Sequence, residues 1–363
     1  MLGIAAFPGT RIPRLVAAPK LAEPTANEVL CRTIELGVCG TDREILLSEK
    51  PWLPANETHL ILGHECLARI EFVGSDVRDF AVGELVVPAV RRPFAGQTRR
   101  LDLLPFGTFT ERGIVQEHGF SVPQFLDRPE HLYRVDPAIA SFAVLTEPLA
   151  VAEKGANEAH VLQQARLGTN VWNGQPPRVL VTGQGPIAFA AVLACVARGW
   201  RCVLAGRDEP ETFRSQLVRE LESEYWSLGE CDLAAIDDVE QNGFDLVLEC
   251  TGSDELTLAA AAAMRSCGIM VWLGSSRVPE ARQHNVERLM RDGLLRNNLF
   301  IGSVNCAPRD FHDALAHLAW WKNHNAAALG KLITARVKQA DALWHYEHRQ
   351  PQGIKTIVQF AEN

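Results

Sequence analysis

Cysteine is most telling here for where it is missing. The chain has nine, at positions 31, 39, 66, 195, 202, 231, 250, 267 and 306, and none lies between Cys66 and Cys195. An odd count at scattered spacing argues against a disulfide framework and for a reducing cytoplasm. Residues 1–20 lack a basic start followed by a sustained apolar core, so no signal peptide is read there. No apolar run is long enough to cross a bilayer; the longest, residues 187–197, falls well short and reads as a helix buried on a sheet. Basic charge is also scarce. Lys and Arg number 36 against 44 Asp and Glu, a net charge of −8, which disfavours nucleic acid or a membrane as partner. No internal repeat and no low-complexity segment is visible. What is present is the balance of a soluble globular protein, 47% hydrophobic and 22% charged over 363 residues, enough for two domains with real cores.

The pattern changes along the chain. Residues 1 to about 150 hold short β-patterned runs, at 29–36, 67–73 and 84–90, bounded by Gly, Pro, Asn and Asp. From about 151, strands and helices alternate. Strands are expected at 179–182, 202–205, 245–250 and 269–274, and helices at 186–198, 213–223 and 256–264. That order predicts an α/β protein with a doubly wound parallel sheet. A long helix at 308–324 and a strand at 354–360 follow. The tail is expected to pair back with the first domain, so that 304–363 completes 1–150 and the dinucleotide domain, 151–303, is inserted between them.

Two short segments carry the chemistry. Gly37-Val38-Cys39-Gly40-Thr41-Asp42 and Gly63-His64-Glu65 supply a thiolate, an imidazole and a carboxylate, the donor set of a catalytic zinc. Alone, Cys39 also reads as a small buried core residue and His64 as a satisfied histidine; the other cysteines read as core packing. Glu147 lies in the apolar run Leu145-Thr146-Glu147-Pro148-Leu149 and needs a cation or a donor if buried. A hinge carboxylate bonded to backbone is its alternative. Gly183-Gln184-Gly185-Pro186-Ile187-Ala188 follows an apolar strand and opens a helix. Gly183, Gly185, Pro186, Ile187 and Ala188 are therefore expected to hold a pyrophosphate at the helix N-terminus. The next strand ends Gly206-Arg207-Asp208. Arg207 there leans to NADP, with NAD possible, although Asp208 would repel a phosphate if it faced the same way. A zinc-type site upstream of a dinucleotide fold suggests a metal-assisted alcohol dehydrogenase.

These segments resemble the zinc-dependent medium-chain dehydrogenase/reductases, and within them the glucose 1-dehydrogenase branch known from archaea. Further carriers are Arg91-Arg92-Pro93, Thr110-Glu111-Arg112-Gly113, His118-Gly119-Phe120, Glu153-Lys154 and Gly302-Ser303-Val304-Asn305. The resemblance implies a mainly β, GroES-like catalytic domain beside a Rossmann domain. It implies Cys39, His64 and Glu147 as catalytic zinc ligands, with Glu65 an outer or exchanging ligand. Thr41 matches the hydroxyl that relays the substrate proton, and Glu111 and Asn305 match residues that contact the sugar. It also implies a homo-oligomer, a dimer or tetramer. The reaction expected is hydride transfer from a sugar or polyol hydroxyl to NAD(P). A zinc dehydrogenase of another polyol or alcohol, or a non-catalytic dinucleotide-binding protein, are the alternatives.

Two departures stand out. The family's second, structural zinc sits on four cysteines in the lobe after Arg-Arg-Pro, where this chain has none. A single zinc is expected, with Phe94 and Leu104 suggesting a lobe held by apolar packing. Of the family's Asn-Arg-Arg at the nucleotide loop, only Arg207 remains.

Overall fold

The computed structural model describes residues 2–97, 99–168, 171–275, 284 and 286–360, apart from the side chain of Asn173. The chain divides into two compact units: Met1–Glu147 with Ile333–Asn363, and Pro148–Leu332.

In the first unit, the strand Val29–Val38 alternates buried and half-buried positions along its first half and is buried throughout its last four. That is a strand which starts on a sheet face and ends inside the protein. It pairs antiparallel with Glu65–Val73, and then with two strands in succession, Gln124–Asp127 along its start and Lys355–Gln359 along its end. The last of these also pairs in parallel with Ile333–Lys338, completing a seven-stranded sheet. Ile4, Leu36, Leu60, Ile61, Phe120, Phe125 and Tyr346 form one buried core beneath it. A small three-stranded sheet, Arg91–Pro93, Phe109–Arg112 and Gln116–Glu117, carries the lobe that lacks cysteine.

The second unit is a six-stranded sheet, parallel at every pairing. Its order is Glu224–Ser227, Arg201–Gly206, Arg178–Thr182, Phe244–Glu249, Met264–Trp272 and Leu299–Gly302. In sequence terms this is 3-2-1-4-5-6, the doubly wound dinucleotide order, whose switch point lies beside the first strand. The helix Pro186–Ala197 opens with its proline at the first turn and is buried from Ala188 to Cys195. Gly199, with φ +71°, follows its end, as a left-handed C-terminal residue should.

The tail departs from expectation. The chain re-enters the first unit at Ile333, not at 304. The helix Pro308–Lys331 buries Phe311, Ala314, Leu318 and Trp321, and the Trp321 indole donates to Leu193 O at 3.0 Å on the helix Pro186–Ala197. Its apolar face therefore belongs to the second unit. A long helix, Thr146–Leu167, lies across the division at 147. Among the described residues no helix is long and apolar enough to cross a membrane.

Candidate metal and dinucleotide sites

Cys39 follows directly on the strand Val29–Val38 and caps the helix Gly40–Leu47. The Asp42 carboxylate, one turn in, accepts the Cys39 N–H at 2.8 Å and so fixes the turn that presents the thiol. The ligand atoms of Cys39, His64 and Glu65 all lie within 4.8 Å of one another. Thr41 sits half-buried in the same first turn.

Glycine makes this packing possible. A Cβ at Gly37 would collide with the Glu65 carboxylate. Gly63 has φ +93°, and a Cβ there would meet Leu36 Cδ2 at 2.5 Å. Gly113 and Gly119 in turn lay bare backbone against Gly63, so a Cβ on either would strike the Gly63 carbonyl oxygen. Phe120 N–H donates to that same oxygen at 2.9 Å, and Ser121 N–H to Leu62 O at 3.0 Å. The Thr-Glu-Arg-Gly and His-Gly-Phe segments thus brace the backbone that carries His64.

The electrostatics suit a cation. His64 and Asp42 are 3% and 0% exposed. His64 Nδ1 and Asp42 Oδ1 face each other at 3.6 Å, and neither atom has a hydrogen-bond partner among the described residues. Burial pulls the His64 pKa down, but Cys39, Asp42 and Glu147 around it hold it well above the usual value. Burial raises Asp42, with His64 opposing. An Nδ1–H turned to a carboxylate leaves Nε2 for a metal, the arrangement that orients most metal-bound histidines.

Glu65 is fully buried, and Lys355 Nζ donates to both its oxygens, at 2.7 and 2.5 Å. Lys355 is itself fully buried; burial lowers its pKa, while Glu65 and Cys39 reverse that and leave it raised. Sequence reasoning missed this lysine. The available signal was a charged residue opening the apolar strand Lys355–Gln359, together with the need of a buried carboxylate for a cation.

Glu147, in the first turn of Thr146–Leu167, is 8% exposed. Burial pushes its pKa up to about 7; His64 and Lys355 pull it down, and Glu65 and Glu111 push it up. It stands among these charges but outside the tight trio. Glu111 takes the Arg91 guanidinium on Oε1, at 3.0 Å from Nε and 2.9 Å from Nη2. Arg91 also donates to Leu101 O at 3.3 Å and Asp102 O at 3.2 Å, and lies 3.8 Å above the Phe109 ring. The lobe is therefore tied by one buried guanidinium as well as by the apolar packing of Leu104 and the rings of Trp52, Phe106 and Phe109.

A second group, Glu57, His59 and His118, has metal-type spacing. Here His118 Nδ1 accepts the Ile61 N–H at 3.2 Å. The proton of neutral His118 is then on Nε2, 3.9 Å from Glu57, and no lone pair is left for a metal. His118 instead tethers the strand Leu60–Ile61 that leads to His64.

In the second unit, Gly183 has φ +101°, and a Cβ there would meet Thr251 Cγ2 at 2.8 Å. Gly185 caps the helix Pro186–Ala197 without any side-chain cap, and its own Cβ direction is open. First-turn N–H groups, those of Ile187 and Ala188 among them, are thus open to an anion. Gly206 leaves the expected acidic position empty for a physical reason: the Gln184 side chain lies where its Cβ would be. Arg207 is exposed at the strand end. Asn305 belongs to this unit, with φ +63° and its Oδ1 accepting the Cys306 N–H at 2.8 Å. Lys154, buried in the helix Thr146–Leu167, supports the same loop by donating to Val304 O at 2.8 Å.

Known proteins share this architecture. The family described as glucose dehydrogenase C-terminus matches residues 140–360, and the alcohol dehydrogenase GroES-like domain matches residues 25–124. The chain is 33% identical over 314 residues to glucose 1-dehydrogenase 1 of Caldivirga maquilingensis, covering 86% of each. It is 31% identical over 366 residues to glucose 1-dehydrogenase 2 of Vulcanisaeta moutnovskia, covering 100% of each. Among solved structures, glucose dehydrogenase of Haloferax mediterranei in complex with NADP, Zn and gluconolactone superposes with a TM-score of 0.85, at 25% identity and full coverage of both chains.

Proposed function

The chain belongs to the zinc-dependent medium-chain dehydrogenase/reductases, in their glucose dehydrogenase branch, and on that footing we propose that it oxidises a sugar hydroxyl, of the aldose C1 kind, with NADP as the preferred acceptor and NAD possible. The observation that carries the reading is the tight trio of half-buried Cys39 with buried His64 and Glu65, the orphaned atoms of His64 and Asp42 facing each other beside it.

These residues fit a catalytic zinc. Cys39, His64 and Glu147 would hold it. Glu65 would stay in the outer shell, because Lys355 occupies both its oxygens. Bound there, the ion supplies Lewis acidity that stabilises the alkoxide form of the substrate hydroxyl. Asp42 holds the His64 ring in one orientation. Thr41, two residues past Cys39, takes the hydroxyl proton and passes it towards solvent or the cofactor ribose. Glu111, fixed by Arg91 on one oxygen, and Asn305, fixed by its own turn, bind sugar hydroxyls. Gly183, Gly185, Pro186, Ile187 and Ala188 seat the pyrophosphate, and Arg207 reads the ribose 2′ position. A dinucleotide seated there would supply the hydride acceptor for the substrate carbon, and Thr41 would take the hydroxyl proton that has to leave with the hydride.

One zinc per chain belongs to this reading, since nothing in the Arg91-tied lobe resembles a thiolate site among the described residues. Among the described residues none of the nine cysteines is in a disulfide, which supports a cytoplasmic location. Exposed Met290, Leu294 and Leu295 on one helix support a homo-oligomer.

A panel of aldoses, alditols and secondary alcohols, each with NADP and with NAD and followed by nicotinamide absorbance, tests the proposal. Turnover of an aldose is expected. Turnover confined to alditols or simple alcohols would move the chain to the polyol or alcohol kind. Dinucleotide binding with no turnover of any compound would make it a non-catalytic binder.

A further inference from the structure

Asp208 presents a difficulty for an NADP site, because a carboxylate next to Arg207 should repel a 2′-phosphate. The structure shows what becomes of that charge. Arg214, from the helix Phe213–Glu220, takes the Asp208 carboxylate in both hands, Nε to Oδ2 at 2.8 Å and Nη2 to Oδ1 at 2.6 Å. Thr212 Oγ1 lies 3.4 Å from Oδ2. The backbone is pinned as well. Asp208 N–H donates to Gln184 Oε1 at 3.0 Å, and Tyr225 O–H donates to Asp208 O at 2.6 Å. Arg214 Nη1 also reaches Gln184 O at 3.4 Å, joining the cluster to the glycine-rich turn. The two side chains are only 13% and 22% exposed. Gln184 is more than nine-tenths buried, and its Nε2 has no hydrogen-bond partner among the described residues.

We propose that Arg214 sets the cofactor preference of this chain: by holding and neutralising Asp208, it removes the repulsion and leaves Arg207 as the cation that reads a 2′-phosphate. The inference rests on the NADP reading above. Both Asp208 oxygens are engaged by Arg214, so the carboxylate cannot serve an unphosphorylated ribose as an acidic residue at this strand end otherwise does. Two charges of one sign brought together cost affinity steeply when one is half-buried. Arg214 is thus a positioning residue acting through Asp208, not a phosphate ligand.

The test is calorimetric binding of adenosine 2′,5′-bisphosphate and adenosine 5′-monophosphate, with no turnover involved. The whole protein is expected to bind the bisphosphate more tightly. Arg214→Gln should lose most of that preference, roughly tenfold or more, while monophosphate binding and circular dichroism stay unchanged. Asp208→Asn should keep or widen the preference, and Arg214→Gln with Asp208→Asn should restore it. A double variant as weak as Arg214→Gln alone would mean that Arg214 contacts the phosphate directly, and would overturn the proposal. So would a preference unmoved in Arg214→Gln or reduced in Asp208→Asn. If Arg214→Gln fails to fold, Asp208→Asn still decides. An unaltered protein with no preference for the bisphosphate would instead sink the NADP reading, and the inference with it.

Discussion

Glycine does opposite work at the two candidate sites, at Gly185 on one side and at the glycines around His64 on the other. At Gly185 nothing stands near the missing Cβ, and the open space is room for a ligand. At Gly37, Gly63, Gly113 and Gly119 the missing Cβ is replaced by the protein itself, by Glu65, by Leu36 or by a carbonyl oxygen. The residues proposed for the pyrophosphate also follow one another along a single turn and helix, from the end of Arg178–Thr182 into Pro186–Ala197. The metal-type site draws on segments far apart, with Glu65 matched by a lysine 290 positions later. One unit offers a surface prepared for a guest by local sequence; the other builds a buried charge cluster that only the finished fold brings together. The first kind of site can be lost without unfolding. The second shares its charges with the core.

If that division holds, each unit can be broken without the other. The largest effect is expected from Cys39→Ala, which should abolish turnover and leave dinucleotide binding largely intact; a variant keeping most of its turnover would remove Cys39 from the mechanism. Next is Lys355→Met. It strands the buried Glu65 carboxylate, and breaking such a pair costs about 3–5 kcal/mol. Urea unfolding should show this loss, and Glu65→Gln in the same chain should recover much of it. An unchanged midpoint would mean that Glu65 does not need Lys355. Arg207→Ala follows. It should weaken NADP more than NAD, by roughly ten- to a hundred-fold for a charge-assisted contact; equal losses would mean that Arg207 does not read the 2′ position.

The smallest effect should come from chelation, on stability. Stripping the metal is expected to end turnover but hardly shift unfolding, because in the single-zinc reading the lobe is held by Arg91 and the rings around Phe109. Elemental analysis should find one zinc per chain. Two tightly held ions would refute the single-site reading, and active enzyme free of zinc would refute the mechanism.

How much of this could be read beforehand follows the same line. The parallel sheet, the glycine-rich turn and the Cys39 and His64 segments are local patterns, and period and spacing reveal them. Lys355, Arg91 and Arg214 are not local patterns; each acts on a partner that the sequence does not mark. The sequence predicts a lobe resting on apolar packing; Arg91-Arg92-Pro93 stands out as a motif, but nothing in it marks Glu111 and the Leu101 and Asp102 carbonyls as the partners of the Arg91 guanidinium. The re-entry point was placed too early because the amphipathic helix Pro308–Lys331 shows a buried face without showing what it packs against. The helix Thr146–Leu167 went unread because Pro148 and Gly155 punctuate it, and both residues usually signal breaks.

The strand Lys355–Gln359 lies between Val29–Val38 and Ile333–Lys338, so the first unit's sheet is completed by a segment synthesised after the whole of the second unit. Until residue 355 has left the ribosome, Glu65 lacks its cation and the buried end of Val29–Val38 has Glu65–Val73 on one side and no strand on the other. The inserted unit has all six of its strands between residues 178 and 302 and waits for no such closure. Its folding should therefore run ahead of the unit that precedes it in the chain, reversing the usual N-to-C order. Ribosome-arrested chains ending before residue 355 should then resist protease over 148–332 while remaining sensitive over 1–147; equal resistance in both would show that the early strands stand without the late one.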